Sequence, residues 1–408
     1  MPRWSVGATV GYLRDTDTGI SRRAVLKRGA IAAGVLGLGG LAGPAAANST
    51  VAGGGDALQS AIDAASDGDT LTVTDSATYD PVAVDVAVTI ETDADPTIAG
   101  GGANTAVSVA ADGVTLDGLT VTTPDGRLGV KVERGVDDVT VVGTTVEDVG
   151  PTGRRDVAGI LVGQGDHDGI EIANNTIRNL DQETTERSGF PTANGIRFHA
   201  DNDGPGTVTD AVVNGNTIEG IESDLAALGI VVQHSTATVD VDDNEIRGLV
   251  AASDTDSDPS DGQGFGFTFA QGISIGISAN ITGQTLSTTE DTSITGNVIE
   301  DITSAEGILP EAVKIDGDGS GLTFRENQFL VAIGLNNRNG TDGGRRDPSA
   351  DPEVDARNNW WGSPDGPEEA TYNQAADDDG RSDVVGNVDF EPFLRQPPGN
   401  GNGTGGPN

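Results

Sequence analysis

Gly169–Leu180 reads G-I-E-I-A-N-N-T-I-R-N-L, and its reading decides the fold. It runs as an alternating apolar strand, a tight bend carrying Asn, and a second short apolar strand. Four stretches downstream repeat it: Asp210–Ile221 (D-A-V-V-N-G-N-T-I-E-G-I), Thr238–Leu249 (T-V-D-V-D-D-N-E-I-R-G-L), Asp291–Ile302 (D-T-S-I-T-G-N-V-I-E-D-I) and Gly321–Leu330 (G-L-T-F-R-E-N-Q-F-L). The bend residues are Asn175, Asn216, Asn244, Asn297 and Asn327, with Asn359 a further candidate, at spacings of 41, 28, 53, 30 and 32 residues. The shorter spacings read as one repeat each, and the two longest as repeats carrying inserted loops. A recurring period in this range is the mark of stacked repeats.

A second motif precedes most of these units. Leu128–Glu133 is L-G-V-K-V-E, Ala158–Gly163 A-G-I-L-V-G, Asn194–His199 N-G-I-R-F-H, Leu228–Gln233 L-G-I-V-V-Q, Gln271–Gly276 Q-G-I-S-I-G and Glu311–Asp316 E-A-V-K-I-D. Apolar residues alternate with others at period 2, the pattern of half-buried strands. One repeat thus holds three short strands separated by bends, and such a unit cannot bury its own apolar face. Stacked as parallel coils it makes a continuous Val/Ile/Leu core, each strand paired with the coil above and below. Asn suits the bend because it tolerates the left-handed conformation and because its amide can bond the same amide one coil away. About nine or ten coils at ~4.8 Å each give a rod of roughly 45 Å. The G-I-x-V strand followed by I-x-x-N-N-T-I resembles the right-handed parallel β-helix of the pectate-lyase-like superfamily, in the form of secreted bacterial and archaeal repeat proteins, over roughly Asp56–Leu394. The resemblance implies an all-β, single-stranded right-handed parallel β-helix. It implies no one activity, since the fold hosts lyases, hydrolases, epimerases, adhesins and non-enzymes.

Composition narrows the chemistry. The 408 residues carry 64 Asp+Glu against 23 Lys+Arg, a net charge of −41, with no Cys. The absence of Cys excludes disulfides, thiolate metal sites and a Cys nucleophile. Lysine occurs only at Lys27, Lys131 and Lys314. Strong Asp excess with scarce Lys is the composition of an extreme halophile, in which salt screens self-repulsion. The same charge argues against nucleic acid, whose phosphates would be repelled.

Along the chain, Ser21–Lys27 (S-R-R-A-V-L-K), an apolar run from Gly29 to Ala42 and then Ala45-Ala46-Ala47 resemble a twin-arginine export signal cleaved before Asn48. The expected organisation is a signal over 1–47, a β-helix domain over 48–394 and a disordered Gly/Asn/Pro-rich tail over 395–408. The product would be secreted or held at the cell surface, monomeric, with no transmembrane segment once the signal is removed. Asp56–Ala65 places Leu58, Ala61, Ile62 and Ala65 at helical spacing behind Asp56 as N-cap. A short helix there would cap the open end of the solenoid. Thr144 and Leu119 stand where later coils carry Asn. Insertions are expected at Arg178–Ala193 and Arg247–Ala270, with a further loop at Asn336–Pro352. The second carries Asp254, Asp256, Asp258 and Asp261, spaced like the start of a calcium loop but with Phe265 at its twelfth position in place of Glu. No cofactor is required by the sequence; calcium is the one candidate. Near the end, A-R-N-N-W-W-G-S-P-D-G-P (Ala356–Pro367) offers a Trp pair that either closes the core or forms a sugar-stacking platform.

The sharpest functional signal comes from aligning the G-I-x-V strands. One outward column holds Lys131, Leu161, Arg197, Val231, Ser274 and Lys314, and the next holds Glu133, Gly163, His199, Gln233, Gly276 and Asp316. Both lysines beyond the leader and an arginine thus fall in one column of an acidic chain. They could neutralise uronate carboxylates, and Lys314 or Arg197 could remove the proton α to one, with His199 or Asp316 assisting. The alternative is local ion pairing, Lys131 with Glu133 and Lys314 with Asp316. Lys131, Glu133, Gln233, Phe265 and Phe267 are the candidate substrate contacts. The pectate-lyase calcium cluster, the polygalacturonase Asp set and the alginate-epimerase D-P-H-E signature are not recognisable. His167, His199 and His234 have no ligand spacing. Three readings follow: a binder of extracellular or cell-surface polysaccharide, a polysaccharide lyase, hydrolase or epimerase, and a structural or adhesive surface rod.

Overall fold

Period-2 alternation becomes strand burial. Thr70–Val73 buries Leu71 and Val73 and Asp240–Asp242 buries Val241, with the intervening residues half-exposed. The computed structural model describes residues 46–151, 156–183, 192–199, 206–251, 268–276, 287–305, 309–316, 318–337, 353–370 and 381–399. Among these, the strands form a first sheet of twelve, a second and a third of ten each, and a small fourth of four. Successive coils pair in parallel and in register, as Glu171 with Val212 and Val212 with Asp240. The chain passes from second sheet to first, through the Asn bend to the third, and back. This is a parallel β-helix, with Val, Ile and Leu from three sheets filling one core. Twelve strands exceed the nine or ten coils expected. Pairing starts at Asn48 and continues to Asp389, and the early coils lack the Asn that made later ones countable. The two insertions are also shorter than expected, because Thr176–Gln182 and Glu245–Ala251 continue as third-sheet strands and the second sheet resumes at Thr192 and Phe269.

The Asn residues form a buried ladder. Each side-chain oxygen accepts two bonds from the preceding rung: Asn216 Oδ1 from Asn175 N and Nδ2 (3.0 Å each), Asn244 Oδ1 from Asn216, Asn297 Oδ1 from Asn244, Asn327 Oδ1 from Asn297, and Asn359 Oδ1 from Asn327. Each Nδ2 also reaches a main-chain carbonyl, as Asn244 does to Val213 (2.9 Å). Thr144 heads the ladder through its main-chain N–H on Asn175 Oδ1. One expectation is corrected. The left-handed residue is the one before each rung: Gly118, Gly143, Asn174, Gly215, Asp243, Gly296, Glu326 and Asn358, at φ of 53° to 76°. The bend divides its two requirements between neighbours, so the rung itself stays free to bond along the axis.

A second column is made of glycine. At Gly129, Gly159, Gly195, Gly229 and Gly272 an added methyl would strike an inward-facing Val or Ile and a carbonyl of the next coil. At Gly229 it would lie 2.4 Å from Gly272 O and 2.7 Å from Ile246 Cγ2. Two successive residues, such as Gly195 and Ile196, therefore share the inner side, and alternation resets around them. Ala226, Leu228 and Val231, which flank Gly229, form an apolar cluster separate from the core. We expect Gly229→Ala to cost about 2 kcal/mol of stability through overpacking. Chemical denaturation at fixed salt measures this, and an unchanged midpoint would refute the close contact.

The ends are closed. Helix Ala57–Ala64 buries Leu58 and Ile62; Asp56 occupies its N-cap position but its side chain makes no capping bond. Gln59 acts as a substitute strand, accepting from Ala83 N (2.8 Å) and donating to Ala83 O (3.2 Å) at the edge of the second sheet. At the other end Trp361 is fully buried, its ring 4.9 Å from that of Phe329, and Trp360 is 9% exposed. The Trp pair closes the core and is no surface platform.

Candidate functional site

The outer face of the second sheet departs from the others. Outward residues of the first sheet, such as Thr140, Glu171 and Asp240, are half-exposed, as are Glu147, Glu219 and Arg247 of the third. On the second sheet Asn194, Arg197, Gln271, Ser274, Glu311 and Asn336 are each under one-tenth exposed. Polar groups are thus buried on the outside of this sheet, where each needs a partner.

Register places the predicted column as read: Lys131 pairs with Leu161, then Arg197, Val231, Ser274 and Lys314 follow, and Asn336 extends it. The next column follows from backbone bonds such as His199 N to Val162 O and Asp316 N to Ile275 O. Four residues were grouped for catalysis, but the structure divides them. Arg197 and Lys314 stand three coils apart, roughly 14 Å along the axis, too far to meet at one atom.

The first group centres on Arg197. Its Nη1 lies 2.6 Å from Asp156 Oδ2, and its Nε and Nη2 donate to Gln233 Oε1 at 3.3 and 3.1 Å. The same oxygen lies 3.1 Å from His199 Nδ1. Asp156 also receives Thr192 N (3.1 Å). Asn194, fully buried beside them, donates to Val157 O and Thr192, while its Oδ1 has no partner among the described residues. The second group centres on Lys314, whose Nζ is 3.2 Å from Asp316 Oδ1. Glu311, on the same strand, accepts from Gln271 Nε2 (2.7 Å) and from Asn336 Nδ2. Burial pushes the Glu311 carboxyl up, opposed by the Lys314 charge and by the two amide bonds. A buried acid held toward its neutral form beside an ammonium can donate or accept a proton. Lys131 forms a third, separate pair with Glu133, which also accepts from Ser108 Oγ (2.7 Å). The local ion pairing weighed from the sequence is therefore present at both lysines.

Asp156, Gln271, Glu311 and Asn336 were missed as site residues. Counting by two from Lys314 puts Glu311 on the inner side; only the reset at Gly195, Gly229 and Gly272 brings its column outward. The signal was available, because Glu311 aligns with Leu128, Ala158, Asn194, Leu228 and Gln271 in the same motif. Phe265, Phe267, Asp254, Asp256, Asp258 and Asp261 lie outside the described residues. Among the described residues, no group of three His, Asp or Glu is arranged to hold a metal, and no helix is long and apolar enough to cross a membrane.

The three histidines converge despite their sequence spacing. His167 and His234 meet edge to face with centroids 5.7 Å apart, and His234 also senses the charge of His199. His234 is fully buried, next in sequence to Gln233.

No family model and no curated protein matches the chain. Similar solved structures include an alginate lyase from a Paenibacillus species (15% identity, TM-score 0.43, covering 84% of this chain and 99% of that one). A PL6 family polysaccharide lyase from Pseudopedobacter saltans (13%, 0.28, 84% and 91%) and a PL6 family alginate lyase (13%, 0.35, 85% and 53%) are also similar. At these identities and scores neither a residue role nor an activity carries over to this chain.

Proposed function

We propose that this chain is an exported protein of a salt-rich environment that binds an acidic extracellular polysaccharide along the outer face of its second sheet. The observation that carries the reading is the gathering of cations and buried neutral polar groups on that one outer face, foremost the buried Arg197 and Lys314, whose side chain is 12% exposed. At molar salt the screening length is about 3 Å, so exposed charges lose their reach and charged groups shielded from solvent keep theirs. A uronate chain would meet Arg197, Gln233 and His199 at one point and Lys314 and Asp316 at another. If the polymer is also processed, Lys314 with Asp316 and Glu311 is the place, since a proton acceptor and a proton-holding acid stand together there. Export rests on the twin-arginine-like leader, and the salt-rich setting on the Asp-rich, Lys-poor composition.

A second reading, a non-catalytic surface rod, is favoured by one observation: Lys131, Arg197 and Lys314 each already have a carboxylate partner. Binding assays separate the two. The chain from Asn48, folded in multimolar salt, should retain polygalacturonate or alginate over dextran. Arg197→Ala and Lys314→Ala should each weaken binding about tenfold, the loss of one charge-assisted hydrogen bond. Polymer shortening that Lys314→Ala abolishes would establish processing. Indifference to every acidic polymer would leave the rod.

A further inference from the structure

We propose that Glu311 and Asn336 make the place at Lys314 selective for anionic sugar units through a single proton. With Glu311 neutral, the Lys314–Asp316 pair can take a sugar carboxylate; with Glu311 ionised, the place repels an anion. This rests on the reading of the second-sheet face as a glycan-binding surface.

Three observations carry it. First, Glu311 faces outward yet is 9% exposed, between two neutral amides, Gln271 on the coil before and Asn336 on the coil after. Second, among the described residues the charged groups near it are Lys314 of its own strand and Asp316 just beyond it, with Asp383 two coils on in its column. Lys314 is already paired with Asp316. An ionised Glu311 therefore sets two carboxylates against one ammonium in a place poor in water, and a sugar carboxylate would be the third. A neutral Glu311 leaves a balanced pair, which one further anion can join through Lys314.

Third, Asn336 is 1% exposed and its Oδ1 has no partner among the described residues, while its Nδ2 lies on Glu311. Exchanging the amide oxygen and nitrogen gives that oxygen a donor when Glu311 carries its proton. A protonated Glu311 donates to Asn336 Oδ1 in the exchanged amide, whereas an ionised Glu311 accepts from Nδ2. The ionised acid needs the opposite orientation, so the proton on Glu311 has an acceptor within the place itself. Burial pushes the Glu311 carboxyl above its ordinary value.

Anion binding should then be linked to proton uptake. The test is calorimetric titration with polygalacturonate, dextran as the neutral control, from about pH 5 to about pH 9 at fixed salt, in buffers of different ionisation enthalpy. The wild-type chain should take up a proton on binding and lose affinity up to about tenfold per pH unit once free Glu311 ionises. Glu311→Gln fits the neutral pattern, accepting from Gln271 and donating to Asn336; it should lack the part of the affinity loss that Glu311 ionisation brings, any pH dependence from His199 being common to both proteins. Identical pH profiles for the two proteins, or wild-type binding without proton uptake, would overturn the inference and leave the glycan reading standing. Binding by neither protein at any pH would overturn the glycan reading, and the inference with it. The proton count on the wild type needs no variant to fold.

Discussion

Replacing Asn244 by alanine is expected to cost about 4 kcal/mol of folding stability, from buried groups left without partners. Asn244 is the middle of the ladder and 1% exposed. Its Oδ1 accepts from both Asn216 N (3.0 Å) and Asn216 Nδ2 (2.9 Å), and its Nδ2 donates to Val213 O and Asn297 Oδ1. Removal strands the Asn216 main-chain N–H, takes from Asn216 Nδ2 one of its two acceptors and from Val213 O a donor, while Asn297 Oδ1 keeps only the Asn244 main-chain N–H. Each stranded buried group costs about 1–3 kcal/mol, and neighbouring coils fixed in register cannot close over the gap. Thr144→Ala is the control. Thr144 joins the ladder through its main-chain N–H, and its Oγ1 reaches only Val142 O at 3.3 Å. Its loss should stay below about 1 kcal/mol. Denaturant titration at one salt concentration compares them, and equal costs would mean that the ladder amides contribute nothing beyond filling space.

The ladder was legible in the sequence because one amino acid recurs wherever two physical demands recur together, burial and bonding along the axis. Its partner position was not, since Gly215, Asp243, Glu326 and Asn358 all serve there. A left-handed φ is a backbone demand that several residue types meet, so no single letter marks it. The same reasoning explains the undercounted coils. Leu119 and Thr144 fill the rung position near the start, where packing replaces amide bonding, and a count based on Asn passes over them.

The site was half legible. Alternation places Lys131, Arg197 and Lys314 in one column because all three lie on the C-terminal side of the glycine position, which Ala312 fills in the Lys314 strand. Glu311, Gln271 and Asn194 lie on its N-terminal side, where a glycine, or the small Ala312 after Glu311, shifts the phase by one. What faces outward there depends on the contact between Gly229 and Ile246 across the core, a long-range fact that a local period cannot carry. The convergence of His167 and His234 is likewise a product of coil stacking: residues 67 apart in sequence meet because the fourth sheet sets Val208 beside His167 and Thr236 beside Val208.

That convergence gives the other large expected effect, which depends on pH. Burial, with His167 beside it, depresses His234 from an ordinary 6.5 to about 4, and the carbonyls of Gly165 and Phe198 only partly offset this. The folded state keeps His234 neutral where the unfolded chain would protonate it. Between those two values the unfolded state binds more protons, so the His234 contribution to stability is intact above about pH 6.5 and is lost as pH falls toward about 4. The full loss is about 3 kcal/mol. Asp242 acts in the opposite sense. Loss of hydration at its carboxyl, though the residue is half-exposed, together with the charges of Asp240 and Asp243, raises it from 3.8 to about 7, so the folded state holds a proton the unfolded chain would release, and this contribution fades as pH rises through that range. The two oppose each other in the wild-type chain, so each must be read as a difference from wild type. His234→Phe, which keeps a ring against His167 and cannot titrate, should gain stability relative to wild type as pH falls from about 6.5, reaching about 3 kcal/mol near pH 4. Asp242→Asn should show its gain at the other end, growing as pH rises toward about 7. Unfolding free energies across pH at constant salt give both differences. A His234→Phe difference that stayed level from pH 8 to pH 4 would mean that the histidine charges within the folded chain, and the buried corner beside Gln233 would then have to open to admit the proton's hydration.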